Sequence, residues 1–115
     1  RMYELVEAAR ERLAAAGVDD EVAQAAGYGH LGDANLHLNV TALGGRNDAV
    51  LALLEPWLFD WVSAAKGSIS AEHGLGQCKP QYLHLSKAPA AVGLMRTLKA
   101  TLDPKGILNP YKVLI

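Results

Sequence analysis

"GHLGDANLHLN", residues 29 to 39, is where an alternating pattern turns back on itself, and its reading decides the fold. Immediately within and after it, "LHLNV" (36–40) alternates strictly, with Leu36, Leu38 and Val40 on one face and His37 and Asn39 on the other. That period of two is the pattern of a half-buried strand. Upstream, "AAGYGHL" (25–31) can form a second strand, and the pair Asp33-Ala34 sits where a two-residue hairpin loop would sit. In that register His30 faces His37 and Tyr28 faces Asn39. Cross-strand partners hold their Cβ atoms about 5 Å apart, close enough for two imidazoles to converge on one ion. On a single straight strand a seven-residue spacing would put them on opposite faces, because seven is odd. The spacing leaves two readings open: half of a metal site, or two polar residues flanking a turn.

Working outward, Met2, Leu5, Val6, Ala9 and Leu13 recur at helical spacing and predict an amphipathic helix to about Ala16, with Gly17 as its C-cap. The connection from 17 to 26 enters a strand near Val22. Asn47 or Asp48 caps a second helix to about Lys66, whose apolar stripe is Val50, Leu53, Leu54, Trp57, Leu58, Trp61 and Val62. Pro56 inside it can kink or break a helix, and a kink is expected. "SISAEHGLGQCK" (68–79) reads as a short strand or extended stretch followed by a glycine-bearing loop. A further helix starts after Ser86 or Lys87, with Pro89 in its first turn and Val92, Met95, Leu98 and Leu102 as its buried face. The chain closes on a turn and an extended tail. The expected class is α+β, an antiparallel sheet packed with helices.

The 115 residues are half hydrophobic and a fifth charged, the composition of one folded domain at most. Eleven basic and twelve acidic residues are interspersed, so no electrostatic footprint for nucleic acid or an anionic membrane is present. No apolar run approaches the ~20 residues of a membrane span. Cys78 is the single cysteine and has no internal disulfide partner, which fits a reducing compartment. The chain runs from Arg1 straight into a helical pattern, which suggests a piece of a longer protein.

Four histidines occur, three of them in glycine-rich, turn-bounded segments. His30, His37 and Glu72 would supply two nitrogens and a carboxylate, the donor set of a catalytic divalent metal with an open position. His73 beside Glu72 is a candidate proton acceptor. Neighbours on an extended chain point to opposite sides, so both reach one site only if the backbone twists, as Gly74 and Gly76 would permit. "GLGQCK" is not a phosphate loop, since Cys78 precedes Lys79 and Pro80 follows it. His84 reads as a surface or packing residue.

At "GYGHLGDANLHLNV", "GSISAEHGLGQCK" and "LMRTLKATLDPKGILNPYKVL" the chain resembles the C-terminal part of the FAD-dependent D-2-hydroxy-acid dehydrogenases of the vanillyl-alcohol-oxidase superfamily, nearest to their hydroxyglutarate branch. The resemblance implies a partial ferredoxin-like cap domain over residues 1–115, separated from its FAD-binding domain. It implies His30, His37 and Glu72 as metal ligands with zinc the first candidate, Asn39 in contact with substrate, His73 as general base and substrate contact, and Asn109 near the flavin. It also implies the reaction: oxidation of a small 2-hydroxy acid to the 2-oxo acid, with the hydroxyl proton passing to His73 and a hydride to FAD. An electron acceptor would then reoxidise the flavin. The compartment implied is a bacterial cytoplasm or a mitochondrial matrix. Alternatives are a D-lactate or glycolate enzyme of the same superfamily, or a free-standing metal-binding domain. The family has glycine where Ala34 stands, and if that position needs φ > 0, alanine costs on the order of 1 kcal/mol. The chain alone is expected not to turn over, and to self-associate through the apolar surface its missing partner would cover.

Overall fold

The computed structural model describes residues 1–115 apart from Asp20 and Arg46. The chain divides into two compact units, Arg1–Trp61 and Val62–Ile115. It is α+β: helix α1 (Met2–Ala15), strand β1 (Ala23–His30), strand β2 (Asn35–Ala42), helix α2 (Asp48–Ala64), the one-turn helix α3 (Leu83–Ser86) and helix α4 (Pro89–Leu102). Short 3₁₀ turns precede β2 (Leu31–Asp33) and α3 (Pro80–Tyr82).

In the first unit, α1 buries Leu5, Val6, Ala9 and Leu13, the stripe its spacing predicts. Its C-terminus is closed by a Schellman pair, Gly17 N–H to the Ala14 carbonyl and Val18 N–H to the Leu13 carbonyl, which satisfies two end carbonyls. The core joins Ala9 and Leu13 to Ala23, Ala25, Val50 and Leu54, with Leu38, Val40 and Trp57 packed against it. Arg12 adds a link between the helices, donating to the Leu53 carbonyl at 2.6 Å and lying over the Trp57 ring. Asn47, as expected, caps α2, its side chain accepting from the Ala49 and Val50 N–H groups. The helix is continuous across Pro56 and is not broken there. Phe59, absent from the expected stripe, is its most buried residue at 2 % exposure.

β1 and β2 form an antiparallel hairpin whose register differs from the expected one by two residues. His30 pairs with Asn35, Tyr28 with His37, and Ala26 with Asn39. The connection is four residues long, Leu31 to Ala34, rather than the two-residue loop Asp33-Ala34. A two-residue type I′ loop would need positive φ at both Asp33 and Ala34. The longer turn places only Ala34 in the left-handed region, at φ 53 and ψ 32. Because the shift is even, every side chain keeps its face. Ala23, Ala25, Gly27, Leu38 and Val40 face the core side, while Tyr28, His30, His37 and Asn39 share the other. Two glycines are dictated by close approach. A Cβ on Gly27 would stand 2.4 Å from a Val6 methyl, and one on Gly29, at φ 150, only 2.1 Å from the Asn35 carbonyl oxygen.

In the second unit, Ser63 donates to the Leu85 carbonyl and Ser86 accepts from the Ile69 N–H, tying the end of α2 and the following loop to α3. The segment 68–79 is a succession of turns, not the strand or extended stretch expected. Likewise the tail is not extended: Asn109, Tyr111 and Val113 all have positive φ, and Val113 N–H bonds the Gly76 carbonyl. On α4, Val92 and Met95 are half-buried, but Leu98 and Leu102, expected in the core, are 53 % and 77 % exposed. With Leu94 they line one stripe of the helix that stays open to solvent.

Two outcomes are expected. Ala34→Gly relieves the left-handed alanine and raises stability by about 1 kcal/mol, read from chemical denaturation. The open α4 stripe gives concentration-dependent association in sedimentation velocity, which Leu98→Glu reduces.

Candidate metal and catalytic-base site

The hairpin's polar face carries three of the expected site residues. His30 and His37 are diagonal neighbours across the strands, not direct partners, yet their rings lie 5.6 Å apart between centroids, at 70°. With metal–nitrogen bonds of about 2.0–2.1 Å, each ring centroid lies about 3.2 Å from a shared ion, and a tetrahedral angle then puts the centroids about 5.2 Å apart. The observed separation therefore fits two imidazoles on one divalent ion. His37 is half-buried and His30 exposed, so a ligand can enter from the His30 side. Asn39 follows on the same face, its Nδ2 donating to the Tyr28 hydroxyl at 3.1 Å. Tyr28 in turn stacks on His37, with centroids 5.5 Å apart and planes 8° from parallel.

The second unit carries Glu72, His73 and Asn109. Ala71, at φ 46, turns the chain just before the Glu-His pair, and the His73 N–H closes onto the Ser70 carbonyl. The turn removes the constraint that neighbours point apart. Glu72 Oε1 lies 3.3 Å from His73 Nε2, so the carboxylate orients the imidazole next to it in sequence. A carboxylate offers two oxygens and about four lone-pair sites, so holding the imidazole is compatible with ligating an ion. His73 and Asn109 line one cleft of about 450 Å³, together with Met95, Lys99 and Lys112. Leu75, Met95, Val113 and Leu114 make much of its wall apolar, and the Lys99 ammonium on it is already held by Asp103 and the Leu108 carbonyl.

Asp103, which the sequence reading passed over, anchors the loop that carries Asn109. It is buried and accepts from Lys99 Nζ at 2.6 Å and from the Ile107 and Leu108 N–H groups. Lys99 also donates to the Leu108 carbonyl. Lys99 and these N–H groups hold the Asp103 carboxyl below its ordinary value, against the opposing effect of burial. The signal was available in "LKATLDPKGILN": an aspartate followed by proline and glycine can accept from the backbone of its own turn. His84 behaves as expected of a surface residue, its Nδ1 2.9 Å from the Gln81 carbonyl. Cys78 is exposed.

These geometries meet a clear likeness to known proteins. The family model "FAD linked oxidases, C-terminal domain" matches residues 1–113. The chain belongs to that family. It is 53 % identical to the mitochondrial D-2-hydroxyglutarate dehydrogenase of Rattus norvegicus over 99 % of its length, and 51 % identical to that of Arabidopsis thaliana over 98 %. A putative mitochondrial D-lactate dehydrogenase of Schizosaccharomyces pombe is 44 % identical over 96 % of the chain. The chain spans 20 %, 19 % and 22 % of these three relatives, about a fifth of each. The expected resemblance of the FAD-linked oxidase C-terminal domain is thereby established. Among the described residues, no helix is long and apolar enough to cross a membrane.

Asp103 gives a pH prediction. Its folded-state value is depressed, so its contribution is present above the unfolded value of about 3.9 and lost as pH falls through the folded value. Asp103→Asn is expected to lower stability at pH 7 and to flatten the further loss between pH 5 and 2, measured by urea unfolding across that range.

Proposed function

We propose that this chain supplies the metal-binding and general-base half of a flavin-dependent D-2-hydroxy-acid dehydrogenase. The observation that carries the reading is the convergence of the His30 and His37 rings on one face of the hairpin. In this reading Glu72 is the third ligand, Asn39 contacts the substrate, and His73 both contacts it and takes the proton of its 2-hydroxyl. In this reading His73 Nε2, 3.3 Å from Glu72 Oε1, carries the ring proton and Nδ1 the lone pair, as a proton acceptor requires. Asn109, sharing the His73 cleft, is the candidate contact to the flavin. A bound divalent ion would supply charge stabilisation at the substrate oxygen, and FAD would accept the hydride from C2. Two imidazoles and a carboxylate suit zinc first, with manganese, cobalt and iron as competitors.

The substrate class is a small 2-hydroxy acid. D-2-hydroxyglutarate comes first, because the relatives at 51 % and 53 % identity are named for it; a D-lactate enzyme is the second reading, supported by the 44 % relative. The relatives' names also support a mitochondrial setting. The FAD-binding partner is the remainder of a longer polypeptide, as the one-fifth coverage of each relative supports.

Elemental analysis of the zinc-equilibrated chain tests the metal half. Near-stoichiometric zinc is expected in the wild type and its loss in His37→Ala; zinc-free wild type would count against the hairpin as a ligand pair. The catalytic half is tested in a polypeptide that joins this chain to its flavin-binding part. There His73→Gln should lower kcat for D-2-hydroxyglutarate by about 10²–10⁴-fold, the range of a positioned general base.

A further inference from the structure

We infer that Tyr28 is a positioning residue for the hairpin half of the site, fixing the His37 ring with its own ring and the Asn39 amide with its hydroxyl. The inference deepens the reading of His37 as ligand and Asn39 as substrate contact, and it rests on that reading for its functional consequence.

The register places Tyr28 directly across from His37. At a directly opposed pair the side chains project from the same face within reach of one another. The rings use that proximity fully: they are 8° from parallel with centroids 5.5 Å apart, an offset stack. Such a stack restrains rotation of the imidazole about its Cβ–Cγ bond, the motion that would swing a ligating nitrogen away from the ion. From the other end of the same side chain, the phenol oxygen accepts from Asn39 Nδ2 at 3.1 Å. Asn39 is diagonal to Tyr28 rather than opposite, and a tyrosine is long enough to span that diagonal. One residue therefore restrains two site groups through two separable parts of its side chain.

The flanking glycines hold Tyr28 in place. Gly27 lets α1 approach through Val6, and Gly29 leaves room for the Asn35 carbonyl, so the backbone on both sides of Tyr28 is closely packed. The residue is 59 % exposed. It contributes little to the core, and its substitution leaves the buried face of the hairpin untouched.

Because the ring and the hydroxyl act on different partners, two substitutions separate them. Tyr28→Phe keeps the stack and removes the hydroxyl. Tyr28→Leu removes both, and Tyr28→Thr, a strong strand former, serves the same purpose if the leucine variant folds poorly. Without metal, NMR of the chain is expected to show Tyr28→Phe shifting the Asn39 side-chain amide signals while leaving the His37 ring signals in place. Tyr28→Leu should shift both. In zinc titrations Tyr28→Phe should keep the wild-type affinity, whereas Tyr28→Leu should weaken it by about 10–100-fold, the usual effect of removing a group that orients a metal ligand. Unmoved His37 signals in Tyr28→Leu and Tyr28→Thr would overturn the inference whatever the zinc result. So would unchanged zinc affinity in those variants. A wild-type chain that binds no zinc, with the NMR shifts as expected, would defeat the metal reading and leave the positioning geometry standing.

Discussion

The site depends first on which face of the hairpin is buried. Ala23 and Ala25 are buried in one cluster with Ala9 and Leu13 of α1, with Leu38 and Val40 partly buried against it, and apolar area so removed from water is worth about 25 cal/mol per Å². A slip of one residue would turn all of them to solvent and carry the polar set into the core. Parity is therefore held by apolar burial that has nothing to do with chemistry. Tyr28, His30, His37 and Asn39 share a face as its by-product, because they occupy the alternate positions.

Parity and register are different quantities, and the sequence carries them unequally. The alternation of "LHLNV" states the faces directly, and they are the ones observed. The register depends on the cost of turn conformations, about 1–2 kcal/mol per left-handed residue. Ala34 decides it: alanine in the left-handed region is tolerable once, and the four-residue connection needs it once. The two histidines thus meet diagonally instead of face to face. Long side chains still bridge that diagonal, and the rings come within 5.6 Å.

Elsewhere the same distinction governs what was legible. The stripe of α1 and the Asn47 cap follow from local spacing and appear where the pattern puts them. The apolar positions of α4 also follow from spacing, but Leu98 and Leu102 remain at the surface. Periodicity identifies a face that prefers to be covered; it does not supply the cover. The segment around Glu72 and the tail around Asn109 depend on left-handed backbone at Ala71, Asn109, Tyr111 and Val113. No propensity announces such angles for alanine, tyrosine or valine, so an extended reading was the natural one and the turns escaped it.

The Glu72-His73 pair shows what those turns accomplish. Adjacent side chains on a strand diverge, and a carboxylate there could not orient the imidazole that follows it. The left-handed Ala71 bends the chain so that Glu72 and His73 come within 3.3 Å. Strain at a residue of ordinary composition thus places an imidazole beside a carboxylate. The hairpin reaches a similar end by regular means, with cross-strand neighbours rather than a bend holding His37 and Asn39. Regular pairing gives the histidine pair a geometry set by backbone hydrogen bonds. The bend gives Glu72 and His73 an adjacency that an extended strand forbids.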